Sequence, residues 1–178
     1  MRVLEVFASL QGEGVNLGKP AVFVRLAGCP LRCVYCDTKY SWGFDGGVEV
    51  SVGEVLVWAA SLGVRGHVVV TGGEPLIWQG RGLEELVCGL RELGAVEVET
   101  SGVYKPSPRL DECVDFYDVS PKLSNAGVKA PLDRFYVESP KAWFKFVVRD
   151  VADVEEAARF VEAWGIPRDR VFLMPMSQ

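Results

Sequence analysis

Short apolar runs rich in β-branched residues alternate along the chain with segments of helical periodicity. Strands are predicted at residues 3–8, 21–26, 68–71, 96–100, 116–119, 143–148 and 171–174. Amphipathic helices are predicted at residues 51–63, 82–93 and 151–164. The first helix begins with a capping box, in which Ser51 is followed three residues later by Glu54. The stretch 123–140 is the least regular and predicts a loop with a short helix around residues 132–137.

Strands that alternate with helices and end in polar or glycine-rich turns are typical of parallel βα units. A closed eight-fold barrel usually takes about 250 residues, and this chain has 178. The pattern therefore predicts an α/β fold, an open partial (β/α) barrel with about six parallel strands and three main helices, in a single domain over residues 1–178. Ligands of such folds bind at the C-terminal ends of the strands.

The overall composition excludes several classes of partner. The net charge is −5 and no block of Lys or Arg stands out, so neither a nucleic acid nor an acidic membrane surface is an expected partner. No apolar run reaches membrane-spanning length, and the N-terminus is unlike a signal peptide. We therefore expect a cytoplasmic protein whose thiols stay reduced.

Three of the five cysteines, Cys29, Cys33 and Cys36, fall in one C-x3-C-x2-C run. A cubane [4Fe-4S] cluster has four irons, each of which takes a thiolate ligand. Three closely spaced cysteines would hold three of these irons and leave the fourth open to a small molecule. The run therefore predicts an enzyme built around a reactive iron–sulfur cluster.

Two alternatives for this run remain open. The cysteines could be small buried hydrophobes, or they could bind zinc with Cys88, Cys113 or His67 as the fourth ligand. We expect Cys88 and Cys113 to be unpaired buried residues, because an odd number of cysteines with three crowded together fits ligands better than disulfides. His67, the single histidine, opens an apolar run and is expected at the start of a buried strand.

The cysteine spacing, Tyr35 before the last cysteine and the Gly-Gly-Glu-Pro turn at residues 72–75 resemble the radical S-adenosylmethionine superfamily. The resemblance implies that S-adenosyl-L-methionine binds the open iron and that its reductive cleavage yields a radical that abstracts hydrogen from a substrate. The cofactors carry this chemistry, while the protein positions them. Two further functions compete: a glycyl-radical-enzyme activase of the same superfamily, and a metal-binding or redox carrier protein without catalytic activity.

Six motifs together resemble the 7-carboxy-7-deazaguanine synthase family, and the resemblance runs from about residue 6 to the end of the chain. They are SLQGEG at 9–14, FVRLAGC at 23–29, CDT at 36–38, TGGEP at 71–75, ETSG at 99–102 and SPK at 120–122. The resemblance implies a lyase that converts 6-carboxy-5,6,7,8-tetrahydropterin to 7-carboxy-7-deazaguanine with loss of ammonia. This step belongs to 7-deazapurine biosynthesis, which supplies the precursor of queuosine and archaeosine.

The resemblance also assigns roles to individual residues. It implies that the cluster is held by Cys29, Cys33 and Cys36, and that a Mg²⁺ ion is held by Thr38. It implies that S-adenosyl-L-methionine contacts Tyr35, Cys36, Asp37, Gly72, Gly73, Glu74, Ser101, Ser120, Pro121, Lys122, Met174, Pro175, Met176 and Ser177. It implies that the pterin contacts Leu10, Gln11, Gly12, Glu13, Arg25 and Thr71.

Two of these roles have a clear physical basis. The planar fork of Arg25 suits the substrate carboxylate, which can accept two hydrogen bonds from it. The carboxylate of Glu13 can accept two parallel N–H bonds from the amidine-like edge of the pterin. The resemblance further implies a homodimer and an external electron donor, flavodoxin-like or ferredoxin-like.

The chain departs from the family's pattern at its last strand. The family usually has a Gln-Pro turn there, whereas this chain has methionine at position 174 before Pro175. The family usually also continues with a segment that closes the substrate mouth, and this sequence stops at Gln178. We expect either a more open site, closure by a partner subunit, or a shortened form.

Overall fold

A computed structural model describes residues 1–176 of the chain, so the predicted cofactor contact at Ser177 lies outside the described residues. The strands are β1 (Arg2–Leu10), β2 (Pro20–Leu26), β3 (Val48–Glu49), β4 (Gly66–Gly72), β5 (Gly94–Thr100), β6 (Phe116–Val119), β7 (Ala142–Val148) and β8 (Val171–Pro175). The α-helices are α1 (Val52–Ser61), α2 (Leu83–Leu90), α3 (Pro108–Cys113), α4 (Arg134–Glu138) and α5 (Val151–Trp164).

In the described residues, the strands form one open eight-stranded sheet in the order β3-β1-β2-β4-β5-β6-β7-β8. Strand β2 and strands β4 to β8 run parallel, while β1 and β3 pair antiparallel at one edge. This arrangement confirms the predicted open α/β fold with six parallel strands. In strand β3, only two residues pair, which is too short for a hydrophobic pattern to show.

The two faces of the parallel strands differ in polarity, because successive side chains point to opposite faces. The face that packs against the helices is apolar and buried: Val22, Val24, Leu26, Val68, Val70, Val96, Val98, Tyr117, Val119, Phe144 and Phe146. The other face carries polar residues at the alternate positions: Arg25, His67, Thr71, Glu97, Glu99, Asp118 and Lys145. We call this polar side of the sheet the inner face. It presents charged and hydrogen-bonding side chains, whereas parallel sheets are more often apolar on both faces.

The local signals for the helices are mostly confirmed. Ser51 and Glu54 form the predicted capping box at the start of α1, and the bounds of α5 match the prediction. Helix α3 was not predicted, although Ser107 and Pro108 supply an N-cap and a proline at the first helical position. His67 is buried within β4, as expected. No helix among residues 1–176 is long and apolar enough to span a bilayer.

The expectation that Cys88 and Cys113 are unpaired is wrong, because a disulfide joins them across α2 and α3. Their Cα atoms lie 5.0 Å apart, within the range that a disulfide requires. The odd number of cysteines in the sequence led to the expectation that none of them forms a disulfide. Once Cys29, Cys33 and Cys36 are set aside, the two remaining cysteines can pair with each other.

Breaking this disulfide should destabilise the protein without affecting the three free cysteines. The bond closes a loop of 25 residues, so the double variant Cys88→Ser/Cys113→Ser should lose about 3 kcal/mol of unfolding free energy relative to the oxidised protein. Denaturant unfolding with and without a thiol reductant measures the effect. The double variant serves as the control, since reductant should no longer shift its midpoint. An unchanged midpoint on reduction of the natural chain would contradict the structure.

Candidate active site

A cavity of about 450 Å³ lies at the C-terminal ends of the parallel strands. The pairing registers explain its position, because Leu26 lies opposite Gly72, Thr100 opposite Val119, and Val148 opposite Pro175. Aligned strand ends bring the segments that follow them to one edge of the sheet. Ligand pockets of proteins commonly have volumes in this range.

The three cysteines of the C-x3-C-x2-C run line this cavity together, and their thiols are free. Cys29 and Cys33 are 8% and 7% exposed. Backbone hydrogen bonds fix the run on both sides. Cys29 donates to the carbonyl of Trp42 at 3.3 Å, and Val34 donates to that of Ala126 at 3.0 Å.

This donor set fits an iron–sulfur cluster. Burial raises the pKa of Cys29 to about 11 and also raises that of Cys33, so thiolates here need a metal cation to stabilise them. The zinc alternative lacks a fourth cysteine or histidine ligand among residues 1–176. His67 is buried beside Glu97, the remaining cysteines are bonded to each other, and no further histidine or cysteine lines the cavity.

The end of β4 approaches the cysteine run so closely that only glycine fits at position 73. A Cβ atom on Gly73 would lie 2.2 Å from the carbonyl oxygen of Gly28 and 2.8 Å from the Cβ of Cys29. The next residue, Glu74, donates its N–H to the same Gly28 carbonyl at 2.9 Å. Gly73 therefore lets the strand end hold Cys29 in place.

Glu74 supports the cavity wall from behind instead of lining the cavity. Its buried carboxylate accepts hydrogen bonds from the hydroxyl of Thr100 at 2.8 Å and from the N–H of Ser101 at 2.9 Å. Glu74 thus orients Ser101, and its predicted contact with the cofactor stays a prediction. Pro121 is also buried and does not line the cavity.

All other predicted site residues within residues 1–176 line the same cavity. Those predicted to contact the cofactor or Mg²⁺ are Tyr35, Cys36, Asp37, Thr38, Gly72, Gly73, Ser101, Ser120, Lys122, Met174, Pro175 and Met176. Those predicted to contact the pterin are Leu10, Gln11, Gly12, Glu13, Arg25 and Thr71. Segments that are distant in sequence therefore meet at one place, as the strand order requires.

The loop at residues 10–18 closes over the inner face of the sheet, and we call it the substrate loop because residues 10–13 are predicted to contact the pterin. Two backbone hydrogen bonds define its base: Gln11 N–H to the carbonyl of Lys19 at 2.8 Å, and Gly18 N–H to the carbonyl of Gln11 at 2.7 Å. The side-chain amide of Gln11 reaches into the sheet and donates to Glu99 at 3.1 Å and to Glu97. The loop is therefore anchored to buried carboxylates of β5.

Arg25 presents its guanidinium to the cavity from β2. Its Nε donates to Glu5 at 3.2 Å, and the group lies 5.8 Å from the ring centre of Phe7 and 6.0 Å from that of Tyr40. The ion pair with Glu5 engages only the Nε atom of the guanidinium. Within the described residues, the terminal nitrogens remain available to an incoming carboxylate.

Sequence reasoning missed the charged centre of the cavity, which Lys145 forms with carboxylates from the loop and the sheet. Its ammonium lies 3.1 Å from Asp118 and 3.8 Å from Glu99, and it also contacts Glu13. A signal was present, since Lys145 and Asp118 each interrupt an otherwise apolar strand. A charged residue in a buried strand is rarely found unpaired.

Glu99 is held ionised in this cavity. Burial would raise its pKa, but the ammonium of Lys145 and the hydrogen bonds from Thr71 and Gln11 lower it below the ordinary value. The Thr71 hydroxyl donates to Glu99 at 2.5 Å. Glu99 is therefore a second carboxylate, beside Glu13, that can accept N–H groups of a ligand.

Comparisons with known proteins identify the family of this chain. Residues 23–164 match the Radical SAM superfamily. A 7-carboxy-7-deazaguanine synthase of Pyrobaculum aerophilum is 74% identical over 178 residues, which cover 100% of this chain and 80% of the relative. A synthase of the same name from Hyperthermus butylicus is 44% identical over 191 residues, covering 99% of this chain and 77% of that relative.

A solved structure shares the same fold. The crystal structure of QueE from Escherichia coli superposes with a TM-score of 0.76 at 29% sequence identity, covering 99% of this chain and 84% of that one. The partial barrel and the three-cysteine cavity thus define a radical S-adenosylmethionine enzyme. Within that class, the chain belongs to the 7-carboxy-7-deazaguanine synthase family.

Replacing Gly73 with alanine should impair cluster assembly, because the new Cβ would collide with the backbone of Gly28 and displace Cys29. We expect the variant to retain clearly less iron and sulfide than the natural chain after anaerobic reconstitution, measured by chemical analysis and by visible absorbance.

Gly53→Ala in α1 is the matched control, since its added Cβ has no atom within 4 Å beyond its chain neighbours and the backbone of its own helix. It should retain the full cluster and gain about 0.5–1 kcal/mol of stability, because alanine favours a helix. Equal iron content in both variants would show that the close approach at Gly73 is not needed.

Proposed function

We propose that this chain converts 6-carboxy-5,6,7,8-tetrahydropterin to 7-carboxy-7-deazaguanine with loss of ammonia, as a radical S-adenosylmethionine carbon–nitrogen lyase. One observation carries the proposal. The three free cysteines share a single cavity with the substrate loop, Arg25 and Thr71. Cluster ligands and groups suited to a carboxylated pterin thus lie within one ligand-sized space.

Cys29, Cys33 and Cys36 would hold the cluster, and the strand-end residues Gly73 and Ser101 would border S-adenosyl-L-methionine. When bound, these cofactors supply a radical that abstracts hydrogen from the substrate. The protein would position the cofactor and exclude water from it. A glycine turn lets the cofactor lie close to the backbone, and the half-buried ring of Tyr35 would help to exclude water.

The pterin would lie between the substrate loop and the inner face of the sheet. Its carboxylate would pair with the terminal nitrogens of Arg25, in two parallel hydrogen bonds. Its amidine-like edge would donate N–H groups to Glu13 and Glu99, which line the same cavity. Glu99 is suited to this role because it is held ionised.

A Mg²⁺ ion is proposed at Thr38 rather than among the acidic residues. The Thr38 hydroxyl lies 3.7 Å from the sulfur of Cys36, at the junction between the cluster ligands and the cavity. The carboxylates of Glu13, Glu99 and Asp118 already surround the ammonium of Lys145. Magnesium needs few protein ligands, since water and substrate oxygens complete its shell.

The proposal also includes an external one-electron donor, flavodoxin-like or ferredoxin-like, a homodimer and a cytoplasmic location. The cluster requires reduction, and the cysteine run lies near the surface. Arg32 and Lys39 are exposed there and would attract an acidic donor protein. A reducing compartment would also keep the three cluster thiols free, and intracellular proteins of hyperthermophiles are known to keep disulfides such as Cys88–Cys113.

Anaerobic turnover tests the function directly. The protein is reconstituted with iron and sulfide, reduced with dithionite, and mixed with S-adenosyl-L-methionine, Mg²⁺ and the carboxytetrahydropterin. We expect 7-carboxy-7-deazaguanine, identified by mass spectrometry. Cluster formation and cleavage of S-adenosyl-L-methionine without any deazapurine would refute the substrate and favour a different radical enzyme.

Arg25→Lys should weaken pterin binding roughly 10- to 100-fold, because an ammonium cannot form the paired hydrogen bonds of the guanidinium fork. Slow cleavage of S-adenosyl-L-methionine without substrate should be unchanged. Calorimetry measures the first and product analysis the second. Arg91→Lys, whose ion pair with Asp115 lies on the helical side, should alter neither. Loss of both activities in Arg25→Lys would contradict a role in substrate binding alone.

A further inference from the structure

Lys145 is a buried cation at the centre of the inner face, and no role follows for it from the cluster or the cofactor. It is 7% exposed and lies in β7 between Phe144 and Phe146. Burying an ammonium costs several kcal/mol unless it is paired. Here its partners are Glu13, Glu99 and Asp118.

The three carboxylates depend on this cation as much as it depends on them. One oxygen from each lies within 4.8 Å of the others, so without Lys145 their negative charges would repel one another. Burial alone would lower the pKa of Lys145, but Glu99, Asp118 and Glu13 raise it well above the ordinary value. The ammonium therefore stays charged and holds the group together.

Other charges bear on the same cluster. Burial raises the pKa of Asp118 to about 7, Lys145 opposes that rise, and the carboxylates of Glu99 and Glu97 add to it. On the cationic side, Arg25 also acts on Glu99, and Lys122 lies near enough to interact with Lys145. Lys145 is the one cation within 4.0 Å of the Asp118 carboxylate in residues 1–176.

One of the three carboxylates belongs to the substrate loop. Glu13 is 41% exposed at its side chain and reaches from the loop to Lys145 across 132 residues of sequence. The loop also lies directly on Asp118, since a Cβ atom on Gly14 would be 2.7 Å from its Oδ2. The substrate loop thus packs on the carboxylates of the sheet, whose negative charge Lys145 neutralises in part.

We propose that Lys145 is a positioning residue, whose buried ammonium ties Glu13 of the substrate loop to Glu99 and Asp118 and so fixes the loop in its binding conformation. The role rests on the proposed function, because the loop is assigned to the pterin. Lys145 acts through the loop and through Glu99. A misplacement of about 1 Å at such a site can cost about 100-fold in rate.

Hydrogen exchange of the protein without substrate tests the positioning directly. The variant Lys145→Met keeps roughly the length of the side chain and removes its charge. In this variant, amides of residues 10–19 should exchange at least about tenfold faster, because loop opening costs less free energy. Lys141→Met is the matched control. Lys141 precedes β7 and pairs with Asp111 at 3.5 Å, away from the cavity, and its loss should leave the loop protected.

Binding and cofactor cleavage separate positioning from general damage. Lys145→Met should bind the carboxytetrahydropterin about 10- to 100-fold more weakly, while its iron content and slow cleavage of S-adenosyl-L-methionine stay as in the natural chain. Parallel loss of iron, cleavage and binding would mean a merely structural lysine and would overturn the proposal.

Glu13→Gln is a second variant, which covers the case in which Lys145→Met fails to fold. It removes the negative charge that pairs the loop with Lys145 and leaves the pairing with Asp118 and Glu99 in place. It should speed exchange of the same loop amides in the absence of substrate, and unchanged protection would overturn the proposal. If the natural chain fails to bind the pterin, the proposed function fails, whereas the exchange experiment still decides the role of Lys145.

Discussion

The alignment of the parallel strand ends is the constraint on which the whole site depends. Arg25 lies opposite Thr71 and Glu99 opposite Asp118, and β7 and β8 continue the same alignment. A shift of one residue in any of these pairings would turn the inner side chains toward the helices. The register is secured by the apolar face, which tolerates no charge. The positions of the polar side chains on the inner face are thus a consequence of hydrophobic packing on the opposite side of the sheet.

The polar inner face has a cost in stability that the protein offsets by pairing. Glu97 illustrates this: it is buried, and it accepts hydrogen bonds from Gln11 and Asn16 and lies 3.3 Å from His67. Replacing buried ion pairs with apolar residues often leaves proteins equally stable or more stable. Retaining them here is explained by function, because an apolar inner face would fill the cavity and leave nothing to hold a polar substrate.

Strand alternation, the capping box at Ser51 and the cysteine spacing are local signals, and they predicted the architecture and the cysteine run well. The other residues that line the cavity were identified through the resemblance to the family. Sequence reasoning failed where the answer depends on contacts between distant segments. The pairing of Glu13 with Lys145, for example, spans 132 residues. The disulfide between Cys88 and Cys113 was missed for the same reason, because only the packing of two helices brings them together.

In the proposed function, three protein thiolates bind a four-iron cluster and leave one iron for S-adenosyl-L-methionine. Mössbauer spectroscopy of the anaerobically reconstituted protein, with and without S-adenosyl-L-methionine, tests this arrangement. One iron of the four should change its isomer shift when S-adenosyl-L-methionine binds. Four irons that stay unchanged, or a protein that holds zinc in their place, would contradict it.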